Sequence, residues 1–325
     1  MQVLVEVERA GFIESRHLGA VVVADADGAV RAAVGDPDMA VYLRSCAKPL
    51  QALAVWGLGV ERDLGLDSLA LAGAAGSHAG EPEHVASVRK VLAAAGLQEG
   101  ALRCPPALPL DADARREASG PAAIYHNCSG KHAYMLAGAV ARRWDTERYT
   151  APEHPVQAVV SDTITDFAGV AIEHVGVDGC GVPVHALPLR GLATAYARLG
   201  ARAAAGDEGP AELVAALRWH PVMISGKGRL DTVLLEATGG RVLSKAGAEG
   251  SSAAVNLASG QGLAVKVQDG APRARGPALV AALRALGWLD EGELEMILPA
   301  ATSPVLGGGE PVGAVRPATL ELPPT

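Results

Sequence analysis

The run Ser45-Cys46-Ala47-Lys48 sets a hydroxyl and an amine three residues apart, a spacing that brings both side chains to one face of a helix. A serine hydroxyl is a poor nucleophile near neutral pH, and a desolvated, neutral lysine can act as the base that activates it. The segment is therefore a candidate for serine acyl transfer. Its plain alternative is that Ser45 only caps a helix and Lys48 is solvated. The expected helix runs from about Ser45 to Trp56, with Pro49 in its first turn, where a missing N–H costs least, and Gly57 and Gly59 as the stop.

Seven residues at the entrance to an amphipathic helix, His126-Asn127-Cys128-Ser129-Gly130-Lys131-His132, concentrate further chemistry. Helix N-terminal amides and the Lys131 ammonium both favour a thiolate at Cys128. Asp178-Gly179-Cys180-Gly181 is a tight turn that offers a second thiol beside a carboxylate. Three readings stay open at this point: inert buried thiols, a zinc ion shared by the two cysteines, and a nucleophilic Cys128. The short spaced Cys and His pairs of the usual four-ligand zinc sites are absent. Cys46 and Cys104 receive no role.

A third feature is the short strand Arg241 to Lys245, which runs into the glycine-rich turn Ala246-Gly247-Ala248-Glu249-Gly250. A K-x-G strand facing an S-x-x-K helix is the arrangement of the β-lactamases and penicillin-binding proteins. Their S-D-N element has no clean counterpart, because Ser161-Asp162-Thr163 falls inside an expected helix. The loop Ser225-Gly226-Lys227-Gly228-Arg229 lacks the upstream glycine of a phosphate-binding loop and reads as a turn or a substrate loop.

Positioning these groups takes strands at both ends of the chain and helices between. Val3 to Val7, Ala20 to Ala24 and Ala29 to Val34 predict an antiparallel meander, with Asp27-Gly28 as a turn. Helices are expected at 68–75, 83–95, 130–143, 155–167, 190–203, 210–219 and 276–287, and strands again near 170–175, 241–245 and 262–267. The tail from Pro317 to Thr325 reads as an edge strand or as disordered. This order excludes regular strand–helix alternation. It predicts an α+β fold, a mixed sheet of terminal strands flanked by helices, built as a single domain over residues 1–325.

Composition narrows the function. With a net charge of -8, 3% aromatic residues and no basic cluster, the 325-residue chain is a poor nucleic-acid binder. No stretch of about 18 uncharged apolar residues suggests a membrane span. The alternating N-terminus reads as a strand rather than a signal peptide, and four cysteines are too few for a disulfide framework, so a cytoplasmic setting is expected.

Five blocks taken together are more specific than any one. Arg44-Ser45-Cys46-Ala47-Lys48-Pro49, Gly76-Ser77-His78-Ala79-Gly80-Glu81, Asn127 to His132, Asp178-Gly179-Cys180 and Lys245 to Gly250 resemble, in family order, the Rhizobium etli-type L-asparaginases (asparaginase II). The resemblance covers most of the chain. It implies a β-lactamase-like fold, a homodimer, and hydrolysis of L-asparagine to L-aspartate and ammonia. It further implies two Ser-Lys pairs, Ser45 with Lys48 and Ser77 with Lys245, and a zinc site at Cys128, Lys131 and Cys180. Arg44, His78, Asp178 and His132 become substrate-orienting or supporting groups by the same resemblance, with turn and cap formation as their ordinary role. Ser45 is favoured as the nucleophile because its place at a helix start also follows from the residues themselves. Two other classes remain: a different serine acyl-enzyme hydrolase of the same fold, and a non-catalytic zinc or ligand-binding module.

Overall fold

β-Branched and small residues dominate the longest apolar run of the N-terminal region, Gly19-Ala20-Val21-Val22-Val23-Ala24, and the reason is visible in the packing. In the computed structural model, which describes residues 1–323, this run is the second half of a long strand at the middle of a sheet. Ala20, Val22 and Ala24 point into one core and Val21 and Val23 into another. A strand covered on both faces reads as continuously apolar instead of alternating.

The strands in chain order are β1 (Gln2–Arg9), β2 (Phe12–Ala24), β3 (Val30–Val34), β4 (Ala40–Tyr42), β5 (His174–Val177), β6 (Pro183–Pro188), β7 (Val242–Ala246), β8 (Ser251–Asn256), β9 (Gln261–Val267), β10 (Ser303–Gly307) and β11 (Glu310–Pro317). The main sheet has the order β10-β11-β1-β2-β9-β8-β7, with β3 also paired to β2, and a small second sheet has the order β4-β6-β5. Both chain ends thus meet in one sheet. The α+β organisation expected from the sequence is observed, although every pairing is antiparallel and none makes the sheet mixed.

Helices cover both faces. Pro272–Ala285 lies against β1, β9 and β11, while Leu189–Ala205 lies against β2, β8 and β9 and joins the sheet to the helical region between residues 48 and 237. The seven helices read from the sequence are present within a few residues of their expected ends. Four further helices, Val60–Leu64, Ala112–Glu117, Leu230–Ala237 and Glu291–Ala301, were not expected, nor were β4, β6, β8, β10 and β11. β2 begins earlier than its apolar run suggests, because its polar first half pairs with β1 through a turn at Ala10 and Gly11, both at positive φ. The strand expected at 170–175 forms later, at His174–Val177. Of the tail, Leu320 is buried, and residues 324–325 lie outside the described residues.

The helix expected from Ser45 begins instead at Lys48, after a 3-10 turn over Arg44–Ala47. Pro49 explains the shift. It has no N–H to give the Ser45 carbonyl, which takes the Lys48 N–H in a tighter turn. Ala47, not Ser45, is the N-cap, so the capping role drops out for Ser45.

Helix Leu189–Ala205 approaches the sheet closely at Gly262 in β9, where a Cβ would stand 2.0 Å from the Ala193 carbonyl oxygen and 2.5 Å from the Ala197 nitrogen. Both obstacles are backbone, and neither yields as a side chain would. Gly262→Ala is expected to destabilise the fold by about 1–3 kcal/mol, the range for overpacking a filled core, read as a lower denaturant midpoint with an unchanged slope.

Candidate active site

The 3-10 turn before Lys48 leaves the Ser45 side chain half-buried at the wall of a cavity of about 530 Å³. Ser77, Asn127, Ser225, Asp231 and Lys245 share that wall. Arg44, the residue before Ser45, holds a left-handed φ of 49°, as does Glu249 (φ 55°) in the glycine-rich turn after β7. Such a backbone costs a non-glycine residue roughly 1–3 kcal/mol and persists only where its surroundings enforce it. Here the enforcement is ionic: Arg44 Nε lies 2.9 Å from Asp178 Oδ1, and Arg44 also lies 3.9 Å from Glu249 Oε1.

Lys48 stands behind this wall, fully buried. Its Nζ donates to the carbonyls of Gly76 and Asn127, both at 2.8 Å. Burial lowers its pKa, with neighbouring Lys131 acting in the same sense against the Cys128 and Cys180 thiols. A neutral amine has two N–H bonds and one lone pair. The two carbonyls take the N–H bonds and leave the lone pair to accept a proton. Gly76 directly precedes Ser77, whose Oγ is buried without a hydrogen-bond partner.

Lys245 is also fully buried, in β7. Its Nζ donates to the Ala246 carbonyl at 2.9 Å and lies 3.7 Å from Asp231 Oδ2. Burial pulls its pKa down to about 8 even though the Asp231 carboxylate opposes the change. Asp231 is itself buried and accepts hydrogen bonds from Ser244 Oγ (2.7 Å) and the Ala246 N–H (3.0 Å). The sequence reading missed Asp231. Its signal was an acidic residue on the face that Leu234 and Leu235 bury, just beyond the loop Ser225 to Arg229.

The thiol cluster forms on the other side of Lys48. Lys131 Nζ donates to Cys180 Sγ at 3.2 Å, Cys180 Sγ lies 3.3 Å from Asp178 Oδ2, and Cys128 Sγ lies 3.3 Å from Asn127 Oδ1. A hydrogen bond from Cys180, helped by the Lys131 ammonium against the cost of burial, holds Cys128 well below the usual thiol range, while Cys180 is pushed up. Burial works to lower Lys131, but the charges of Cys128, Cys180 and Asp178 override it and keep its ammonium above the ordinary value.

His78 and His132 lie off the cavity wall. His78 is buried, accepts from the Gly80 N–H at Nδ1 and donates from Nε2 to Ser129 Oγ at 2.7 Å, which in turn donates to the Ile124 carbonyl. His132 meets Tyr149 Oη through Nδ1 at 2.6 Å, leaves Nε2 unpartnered, and is driven by burial to a pKa of about 3. Cys46 packs inward and donates to the Lys245 carbonyl, tying the serine turn to β7.

The model of the L-asparaginase II family matches residues 5–317. The chain belongs to that family. It is accordingly an asparaginase, an amidohydrolase acting on L-asparagine. Among solved structures it is similar to a β-lactamase from Mycobacterium bovis, at 17% identity over 83% of this chain and 95% of that one, with a TM-score of 0.39. It is also similar to a protein assigned as a β-lactamase from Bacteroides dorei, at 16% identity over 77% and 84%, with a TM-score of 0.42. No curated protein matches the chain.

In this asparaginase the Asp231–Lys245 attraction operates only while Lys245 is charged, below about pH 8. Asp231→Asn strands a buried ammonium in that range, an error that costs about 3–5 kcal/mol when one partner of a buried pair is removed. The expected result is a large loss of unfolding free energy at pH 6 that shrinks at pH 9, where Lys245 is mostly neutral; denaturant titrations at the two values measure it.

Proposed function

We propose that the asparaginase works by serine acyl transfer, with Ser45 as nucleophile and a neutral Lys48 as its base. The observation that carries the reading is the meeting of Ser45, Ser77 and the fully buried Lys245 at one cavity wall, with the fully buried Lys48 behind it donating to the carbonyls of Gly76 and Asn127. Ser45 Oγ attacks the side-chain amide carbon and gives its proton to the amine. The C–N bond breaks, the proton leaves with ammonia, and water hydrolyses the resulting ester to aspartate. Ser77 and Lys245 orient the amide and relay protons. The Arg44–Asp178 pair, held by its own ion pairing beside Ser45, suits recognition of a zwitterionic amino-acid end.

Zinc belongs to the same proposal, as does a homodimer. Among the described residues no group of three or more His, Cys, Asp or Glu is arranged to hold a metal, so a site here needs an amine donor. Cys128, Cys180 and Lys131 fit: two thiols and an amine meet in a buried cluster, and one thiol already favours the thiolate. Bound zinc would neutralise the thiolate charge and fix the Asp178 turn. Because the donors must give up protons to bind it, affinity falls at acid pH.

Ammonia release from L-asparagine by the purified protein tests the reaction. Ser45→Ala is expected to reduce it by at least about a thousandfold in a folded protein, and Lys48→Arg to stay equally inactive because a guanidinium keeps its proton. Full activity in folded Ser45→Ala would remove Ser45 as the nucleophile.

Elemental analysis of protein purified without chelator is expected to find zinc, and less of it in Cys128→Ser. Near-zero zinc in both would leave the cluster as inert thiols.

A further inference from the structure

The cavity extends well past the two serines. At about 530 Å³ it lies within the roughly 300–1,000 Å³ that accommodates drug-sized ligands, and asparagine fills only part of it. Arg229, Arg273 and Arg275 line it beyond Lys245. Among the described residues none of these three guanidinium groups has a carboxylate within 4.0 Å. Arg273 donates through Nε to His17 Nε2 at 3.1 Å, and His17 is held in turn by Asp269 at 2.7 Å. Arg275 donates to the Gly247 carbonyl at 3.1 Å, and its Nε is buried without a partner. That buried, unpaired Arg275 donor costs free energy unless a ligand satisfies it. The first residues of helix Pro272–Ala285 form the same wall, so the positive end of a helix adds to the charge. Asp231, the one acidic residue of the lining, is engaged with Lys245.

Three guanidinium groups with no internal counter-charge call for a carboxylate. We propose that this arm of the cavity binds a carboxylate carried by the leaving amine, so that the enzyme hydrolyses β-aspartyl amides of amino acids as well as asparagine. The inference rests on the amidohydrolase reading of the serine site. The acyl chemistry is unchanged: the Ser45 Oγ–C bond forms and the C–N bond breaks. The serine proton passes through the lysine to the departing nitrogen, which leaves as a free amino acid. Water then hydrolyses the ester. The nitrogen is the point at which the substrate can grow without altering the aspartyl half.

Steady-state kinetics with β-L-aspartyl-glycine, its neutral glycinamide counterpart and L-asparagine test this. The dipeptide is expected to be hydrolysed with a kcat/KM at least about tenfold above the glycinamide, the gain of roughly one charge-assisted hydrogen bond. In an Arg229→Gln/Arg273→Gln double variant, both sites exposed, that preference should collapse while asparagine turnover persists; Arg275→Gln supplies a second variant. Turnover of asparagine with no hydrolysis of the dipeptide, or with equal rates on dipeptide and glycinamide, overturns the inference and leaves the asparaginase reading standing. Loss of all three activities in the folded wild-type protein overturns both.

Discussion

Two lysine side chains withdrawn completely from water set the terms for the rest of the site. An isolated buried charge is so costly that a group shifts its pKa before it accepts the penalty. Lys48 and Lys245 meet that constraint differently. Lys48 has two carbonyl acceptors and no carboxylate, whereas Lys245 has Asp231 at 3.7 Å. Burial draws the Lys48 pKa down, with Lys131 acting in the same sense, and it brings Lys245 to about 8 against the pull of Asp231.

Holding these amines in place requires rigid elements from distant parts of the chain. β7 carries Lys245 at the end of a sheet filled from both faces by separate cores. The 3-10 turn carries Ser45, and Pro49 fixes where the following helix begins. Cys46 joins the two by its bond to the Lys245 carbonyl. Lys48 also reaches toward the thiol cluster through Asn127, so the serine cavity and the Cys128–Lys131–Cys180 group form one electrostatic unit. Any change in charge at the thiols is felt at the amine.

Much of this was legible in the sequence because it is local. S-x-x-K, the glycine-rich exit of β7, and the polar entrance to helix Ser129–Ala141 each announce themselves within ten residues. What the sequence hid depends on tertiary pairing. β8 (Ser-Ser-Ala-Ala-Val-Asn) has too few large apolar residues to read as a strand, yet it is buried on both faces because it lies inside the sheet between two cores, against helices Leu189–Ala205 and Pro272–Ala285. β10 and β11 exist because β1 offers an edge. Asp231 lies on a helix that the sequence did not reveal, and only the approach of β7 makes it the partner of Lys245. His78 and His132, expected among the substrate-orienting or supporting groups, lie off the cavity wall, where His78 bonds Ser129 and His132 meets Tyr149.

The most direct measurement is the pH dependence of kcat/KM for asparagine in the wild-type enzyme. If the buried Lys48 amine must be neutral to take the serine proton, and burial draws its pKa down from the ordinary lysine value, the rate should rise from about pH 6 to about pH 9. A rate that is flat or falls across that interval would contradict the account, because no amine of the site would then be limiting as a base.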